Sequence, residues 1–321
     1  MILQILLLIA GLTLIIFGAD FLVDGASAIA RKAGVSEFVI GLTIVGMGTS
    51  APEFVVSIIG ALAGNSDVAV GNVLGSNIIN TLLILGLTAI ILPIGITQEN
   101  RIKDIPINIF ITALFLGMGF GYTLFKLGNS DEISRVEGIV LLVLFVLYIW
   151  SCFKFNKPEG STGNDVAVKE KKLPVSILMV LGGLAALVFG GRFFVDSATW
   201  IASRIGVSDK FIAVTILAGG TSLPELATCV VAAAKKKGQL ALGNILGSNI
   251  FNILLILGAS AVISPLSFAD INFLDAGVLL LSSLLVLSSI VTFRRNLIDR
   301  ADGTIMVLVW LAYMAYLILN L

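Results

Sequence analysis

Long apolar runs separated by short polar segments make up most of the chain. A helix needs about 20 apolar residues to cross a hydrocarbon layer of about 30 Å, and ten stretches reach that length. They lie at about residues 2–23, 36–62, 69–92, 104–125, 136–154, 174–195, 208–234, 240–263, 272–293 and 303–320. The pattern predicts an all-α polytopic membrane protein with ten transmembrane helices.

The composition supports this prediction and excludes several classes of protein. Of the 321 residues 58% are apolar and only 12% are charged, against about 25% charged in soluble domains. Histidine is absent, which removes histidine-ligated zinc and histidine-based catalytic triads. Lys plus Arg and Asp plus Glu number 20 each, so the chain lacks the basic field that nucleic-acid binding requires.

The distribution of basic residues predicts the orientation. With ten spans, fifteen of the twenty Lys and Arg residues fall in one alternate set of loops and termini, which the positive-inside rule assigns to the cytoplasm. Both termini should then face outside. We expect a multi-pass protein of the plasma membrane, surrounded by lipid bilayer, and no protein partner is predicted.

The chain contains an internal repeat. A shift of 172 residues aligns Phe17 to Pro93 with Phe189 to Pro265, and about half of the aligned positions have the same residue. This predicts a first repeat at 1–154, a cytoplasmic linker at 155–172 and a second repeat at 173–321. Five spans per repeat is an odd number, so the two repeats should be inverted relative to each other. Inverted repeats commonly form one binding site near the membrane midplane.

Two carboxylates at equivalent positions lie well inside predicted spans. Glu53 lies in the second span and Glu225 at the equivalent position of the seventh, and neither span has Lys or Arg in its interior. A buried ionised carboxylate is costly unless a positive or polar group meets it, so a proton or a bound cation must supply the compensating charge. The alternative is that both acids are protonated and hydrogen-bonded for structural reasons, and their duplication argues against it.

Each glutamate follows a proline within GTSAPE or GTSLPE. Pro52 and Pro224 lack an N–H and clash with the carbonyl four residues earlier, so we expect a break in each helix. The break would expose carbonyls, those of Gly46 and Ala218 among them, beside four hydroxyls. These hydroxyls belong to Thr49, Ser50, Thr221 and Ser222. A proline could merely kink a packed helix, but the adjacent acid favours a set of ligands.

A second duplicated motif, GNxLGSNIxN, supplies more oxygens. Ser76 and Asn80 are four residues apart and share a helix face, as do Ser248 and Asn252. Helix packing by itself could explain the glycines and serines, but it explains the asparagines poorly.

Together these groups form an oxygen-only set with two negative charges. Such a set suits Ca²⁺, which takes about 6 to 8 oxygen ligands, and its hydroxyls and carbonyls suit Na⁺ equally. One Ca²⁺ or two Na⁺ would neutralise the two glutamates, so the ions should compete, and an empty ionised site could not cross the hydrocarbon. The residues therefore predict obligatory exchange of Ca²⁺ and Na⁺ as substrates, without a cofactor.

GTSxPE and GNxxGSNIxN, each present twice, resemble the α-repeats of the sodium/calcium exchanger family within the calcium:cation antiporters. The resemblance implies a secondary active antiporter and not an enzyme, with spans two, three, seven and eight as the ion-binding core and spans one and six sliding past it. It also implies a set of ligands. They are Glu53, Glu225, Thr49, Ser50, Thr221, Ser222, Ser76, Ser248, Asn80 and Asn252, with the carbonyls of Gly46 and Ala218.

Two departures from related patterns bear on the coupling ion. The potassium-dependent branch of the family has aspartate at the position of Asn252, so the amide predicts potassium independence. The acid typical of proton-coupled exchangers is absent from the second motif, where Gly75 and Ser76 stand. Proton coupling and potassium dependence stay open as alternatives. An intramembrane enzyme with Glu53 and Glu225 as an acid–base pair, and a passive cation channel, are the competing classes.

Overall fold

The computed structural model describes residues 1–126, 130–155, 172–206, 218–269 and 271–319. These residues are mostly helical. In chain order the helices are α1 (Ile2–Ala33), α2 (Glu37–Thr49), α3 (Ala51–Leu62), α4 (Asp67–Ile91), α5 (Asn100–Gly119), α6 (Gly121–Phe125), α7 (Arg135–Phe155), α8 (Leu173–Arg204), α9 (Ala218–Gly220), α10 (Leu223–Ala234), α11 (Gly238–Ile263), α12 (Phe273–Ser288) and α13 (Arg300–Leu319).

Within the described ranges, seven of these helices are long and apolar enough to cross a membrane. The pair α2 and α3, bent by 49° at its break, would make an eighth span. The shorter apolar helices α10 and α12 lie within the seventh and ninth predicted spans and cover only part of each. Residues 208–217 of the seventh predicted span and 156–171 of the predicted linker lie outside the described residues.

The first helix is longer than its apolar run predicts. It continues past residue 23 through Arg31 and Lys32 to Ala33, and the residue that follows, Gly34, has a left-handed φ of 64°. Basic residues in the last turn are favourable because the C-terminal end of a helix carries partial negative charge. Ser36 then caps α2 by accepting a hydrogen bond from the backbone N–H of Val39.

Several spans widen into π-helical turns. Gly41–Val45 in α2, Ile79–Leu85 in α4 and Asn252–Leu257 in α11 each form such a turn. Asn80 lies in the second of these turns and Asn252 opens the third. Local π-helical turns are often found at functional sites, and here they place the amide side chains of both motifs.

Helices α1 and α8 pack along a seam of glycines. A Cβ on Gly11 would lie 2.8 Å from the carbonyl oxygen of Gly190, and one on Gly18 would lie 2.9 Å from that of Gly183. The two backbones therefore touch directly, as small residues permit in membrane proteins. The glycines recur every seven residues on both helices, so the seam follows one side of each helix.

This seam gives a stability prediction. Gly183→Ala should destabilise the protein because the new Cβ would lie 2.7 Å from the Gly18 carbonyl oxygen, and overpacking costs about 1 to 3 kcal/mol. Gly182→Ala is the matched control, since its Cβ would face open space and the residue is exposed. We expect a lower melting temperature in detergent for Gly183→Ala alone. Equal melting temperatures for the two variants would contradict the close contact.

A set of ion pairs ties α1 to the end of α10. The Lys235 ammonium lies 2.7 Å from a carboxylate oxygen of Asp20 and 2.7 Å from one of Asp24. Partial burial lowers the pKa of Lys235, but the hydrogen bonds to both aspartates outweigh it, and the net shift is upward. At the positions that the repeat equates with the aspartates, Arg192 and Asp196 of α8 pair with each other at 3.7 Å and are exposed.

In the ranges that the structure describes, four short strands join loops of the two parts of the chain. Strand β1 (Ile94–Gly95) pairs antiparallel with β4 (Leu297–Ile298), and β2 (Glu132–Ile133) pairs antiparallel with β3 (Leu266–Ser267). In each pair one strand comes from before the predicted linker and the other from after it. Each pair therefore links two connections between helices that are distant in the sequence.

Candidate cation site

The two glutamates occupy equivalent places at helix starts. Glu53 is the third residue of α3 and Glu225 the third residue of α10, and both side chains are 0% exposed. Pro52 and Pro224 precede them in the first turn, where the missing N–H of proline does no harm. The partial positive charge of a helix N-terminus favours a carboxylate at this position.

Hydroxyl groups from both parts of the chain hold the carboxylates. Ser76 and Ser222 donate to Oε1 of Glu53 at 3.1 and 3.2 Å. Ser50 donates to Oε1 of Glu225 at 3.0 Å. Each glutamate thus takes a hydrogen bond from the serine that precedes the proline of the other copy of the motif, which brings both copies into one site.

The asparagines of the second motif also form hydrogen bonds between the two copies of the motif. The amide nitrogen of Asn80 donates to the side-chain oxygen of Asn249 at 3.3 Å, and that of Asn252 donates to the side-chain oxygen of Asn77 at 3.0 Å. All four side chains are buried. The amide nitrogens of the two predicted ligands are thereby occupied, and their carbonyl oxygens remain.

Four buried oxygens of predicted ligands have no hydrogen-bond partner among the described residues. They are Oε2 of Glu53, Oε2 of Glu225, and the side-chain oxygens of Asn80 and Asn252. Buried polar atoms are nearly always satisfied, so each exception requires an explanation. In the described part of the chain no Lys or Arg side chain pairs with either glutamate. Unpartnered carboxylate and amide oxygens fit a hard cation, because carboxylate and carbonyl oxygens are the ligands that Ca²⁺ prefers.

The other predicted ligands differ in how closely they approach this cluster. The hydroxyls of Thr49 and Ser248 donate to the Gly46 carbonyl, at 3.4 and 3.2 Å, so this carbonyl is engaged by the protein itself. Thr221 is half-buried and makes no contact with either glutamate among the described hydrogen bonds. Ala218 is the first residue described after a gap. The roles of Gly46, Thr221 and Ala218 as ligands stay predictions.

A further pair of contacts behind the site was not expected. Asn72 donates to the hydroxyl of Ser57 at 3.0 Å, and Asn244 donates to the thiol sulfur of Cys229 at 3.2 Å. Asn244 also accepts a hydrogen bond from Thr49 at 3.2 Å. The shift of 172 residues that aligns Asn72 with Asn244 also aligns Ser57 with Cys229, so comparing the repeats position by position could have paired these residues.

The fold and the site define a polytopic helical membrane protein that encloses a cluster of acidic and neutral oxygens suited to a cation. A family model described as "Sodium/calcium exchanger protein" matches residues 3–154 and 175–319. The chain belongs to the sodium/calcium exchanger family, a family of membrane transporters.

Relatives over the whole length agree with this assignment. The chain is 34% identical to the sodium/calcium exchanger MaX1 of Methanosarcina acetivorans, with 97% of each chain covered. It is 35% identical to the inner membrane protein YrbG of Escherichia coli, over 99% of this chain and 98% of the relative. Among solved structures it is similar to the sodium-calcium exchanger NCX_Mj, with a TM-score of 0.84, 32% identity, and 98% and 99% of the two chains covered.

Proposed function

We propose that this protein is a secondary active antiporter that exchanges Ca²⁺ for Na⁺ across the plasma membrane at the two-glutamate site. The observation that carries the proposal is the set of four unpartnered buried oxygens on Glu53, Glu225, Asn80 and Asn252. Family membership supports cation antiport, and the names of MaX1 and NCX_Mj support Na⁺ and Ca²⁺ as the substrates.

The geometry supports coupled exchange of two kinds of cation, and not the passive flow of one kind through a channel. Two carboxylates that are 0% exposed are costly to bury in their ionised form without a counter-charge. One Ca²⁺ or two Na⁺ would remove that cost. A change of access is then easy for the occupied site and hard for the ionised empty one, so one ion must replace the other before the site can face the opposite side.

We further propose ten spans arranged as two inverted repeats, with both termini outside. Several of the contacts described above support a two-fold relation, because each of these has a counterpart in which the two copies exchange roles. Ser50 with Glu225 mirrors Ser222 with Glu53, and the pair β1 with β4 mirrors β3 with β2. Such a relation offers two similar states that open to opposite sides.

Transport by purified protein in liposomes tests the proposal. Vesicles loaded with Na⁺ and diluted into Na⁺-free medium should accumulate radioactive Ca²⁺, and vesicles loaded with choline should not. Adding external Na⁺ should reduce uptake because it removes the gradient and competes for the ligands. Empty liposomes provide the background.

Other outcomes identify the alternatives. Equal uptake into Na⁺-loaded and choline-loaded vesicles would contradict sodium coupling and indicate a channel. Uptake that follows an imposed pH gradient in the absence of Na⁺ would indicate proton coupling. Uptake that requires K⁺ together with Na⁺ would contradict the potassium independence predicted from Asn252.

A further inference from the structure

Two buried asparagines have no assigned role in this site. Asn77 and Asn249 are 1% and 3% exposed, and each follows the serine of its GSN motif. Each accepts a hydrogen bond from the amide nitrogen of a predicted ligand that belongs to the other repeat, Asn252 for Asn77 and Asn80 for Asn249.

The orientation of an amide side chain decides whether it attracts or repels a cation. One end is a carbonyl acceptor and the other is an NH₂ donor, so a rotation of 180° exchanges a ligand for a repelling group. Because Asn77 presents its oxygen to the NH₂ of Asn252, the carbonyl of Asn252 is the end left without a partner. The same holds for Asn80 beside Asn249.

The orientation of Asn77 is itself fixed. Its NH₂ donates to the backbone carbonyl of Asn249 at 3.2 Å, and a backbone carbonyl can only accept. The NH₂ of Asn77 must therefore face Asn249 and its oxygen must face Asn252. A reversed Asn252 would bring two acceptors together and leave both unsatisfied, which buried polar groups rarely are.

The hydrogen bonds of Asn249 constrain the orientation of its amide less. The NH₂ of Asn249 donates to the hydroxyl of Thr81 at 2.8 Å, and a hydroxyl can donate as well as accept. The side-chain amide of Asn249 could therefore rotate by 180° and still form a hydrogen bond with Thr81, with the hydroxyl as the donor. The second repeat has Ile253 at the position equivalent to Thr81. The amides of Asn77 and Asn249 are therefore held by different partners, although the two GSN motifs are identical.

We propose that Asn77 and Asn249 are positioning residues that turn the amide carbonyls of Asn252 and Asn80 toward the transported cation, with Asn77 as the fixed end of the network. The proposal rests on the function proposed above and names two residues that act on the cation through its ligands. Because each asparagine orients a ligand of the other repeat, ion affinity depends on the contact between repeats as well as on the ligands.

The test is the Ca²⁺ dependence of Na⁺-driven uptake. Asn77→Leu keeps the approximate size and removes the acceptor, and it should raise the half-saturating Ca²⁺ concentration about 10- to 100-fold, the usual cost of losing a group that orients a metal ligand. The maximal rate should change less. The rise in melting temperature caused by Ca²⁺ should shrink in parallel. Asn249→Leu should weaken affinity less than Asn77→Leu, and equal losses would overturn the assignment of Asn77 as the fixed end.

The control variant is Asn108→Leu, which replaces a buried asparagine of α5 that contacts no predicted ligand in the described hydrogen bonds. It should leave the half-saturating Ca²⁺ concentration unchanged. A loss of affinity in Asn77→Leu no larger than in this control would overturn the proposal.

A double-mutant cycle separates positioning from a general packing effect. Asn252→Ala removes the ligand that Asn77 is proposed to orient, so adding Asn77→Leu to it should change Ca²⁺ affinity by less than about twofold. If the two substitutions lower Ca²⁺ affinity independently, so that their fold-changes multiply in the double variant, the proposal is overturned. If the unsubstituted protein shows neither Na⁺-driven uptake nor stabilisation by Ca²⁺, the proposed function fails. If it shows both and the cycle is additive, only the positioning role fails.

Discussion

Replacing Glu53 by glutamine should abolish Na⁺-driven Ca²⁺ uptake without preventing insertion into the membrane. The amide has nearly the same shape and can still accept hydrogen bonds from Ser76 and Ser222, but it removes half of the site's charge. Breaking a buried ionic interaction costs about 3 to 5 kcal/mol, which corresponds to a loss of at least about 100-fold in Ca²⁺ affinity. Glu225→Gln should have the same effect, because the two carboxylates are equally buried.

The measurement is uptake into liposomes together with Ca²⁺ stabilisation in detergent. Glu132→Gln makes the same chemical change at an exposed position in β2 and should preserve both properties. Normal uptake by Glu53→Gln or Glu225→Gln would contradict the assignment of the site. Loss of uptake in all three variants would indicate that the amide substitution damages the protein generally.

Replacing Asn252 by aspartate should make exchange strongly dependent on pH. The side chain is 0% exposed and would add a third carboxyl group to a site that already holds two. Burial and like charges both raise the pKa of such a group. Below that pKa the new carboxyl is neutral and resembles the amide. Above it the site carries one negative charge that a single Ca²⁺ cannot balance.

At about pH 6 we therefore expect uptake by Asn252→Asp to approach that of the unsubstituted protein. At about pH 9 in K⁺-free medium it should be lower by about tenfold or more. Asn272→Asp adds the same charge at an exposed helix cap and should show a constant ratio at every pH. A constant ratio for Asn252→Asp would contradict its placement beside the two glutamates. Recovery at high pH on adding K⁺ would show that a further cation can balance the new charge.

The sequence alone predicts a site centred on Glu53 and Glu225, and in the structure each of these residues accepts a hydrogen bond from the other copy of the motif. Carboxylates and prolines inside apolar spans are so costly that their positions carry information by themselves, and the repeat showed that Glu53 and Glu225 are equivalent. Family membership is confirmed by the comparisons. The breaks in the helices were also expected from the prolines, although the turns fall at Ser50 and Ser222, before the prolines, because each proline takes an early position in the helix that follows.

Other features depend on contacts that a single pattern does not encode. The extension of α1 to Ala33 was missed because hydropathy falls at charged residues while the helix continues through them. The pairing of Lys235 with Asp20 and Asp24 joins positions more than 200 residues apart. The roles of Asn77 and Asn249 follow from the direction of amide hydrogen bonds, which the identity of the residues leaves undetermined.

The exchange of hydrogen bonds between Ser50 and Glu225 and between Ser222 and Glu53 bears on how such a protein could have arisen. A chain consisting of one repeat would have its glutamate but would lack the serine that the other repeat donates to it. If gene duplication produced the present chain, its ancestor would have completed the site only as a dimer. Joining the two copies would have removed the need for assembly and allowed each to diverge, as Thr81 and Ile253 have done.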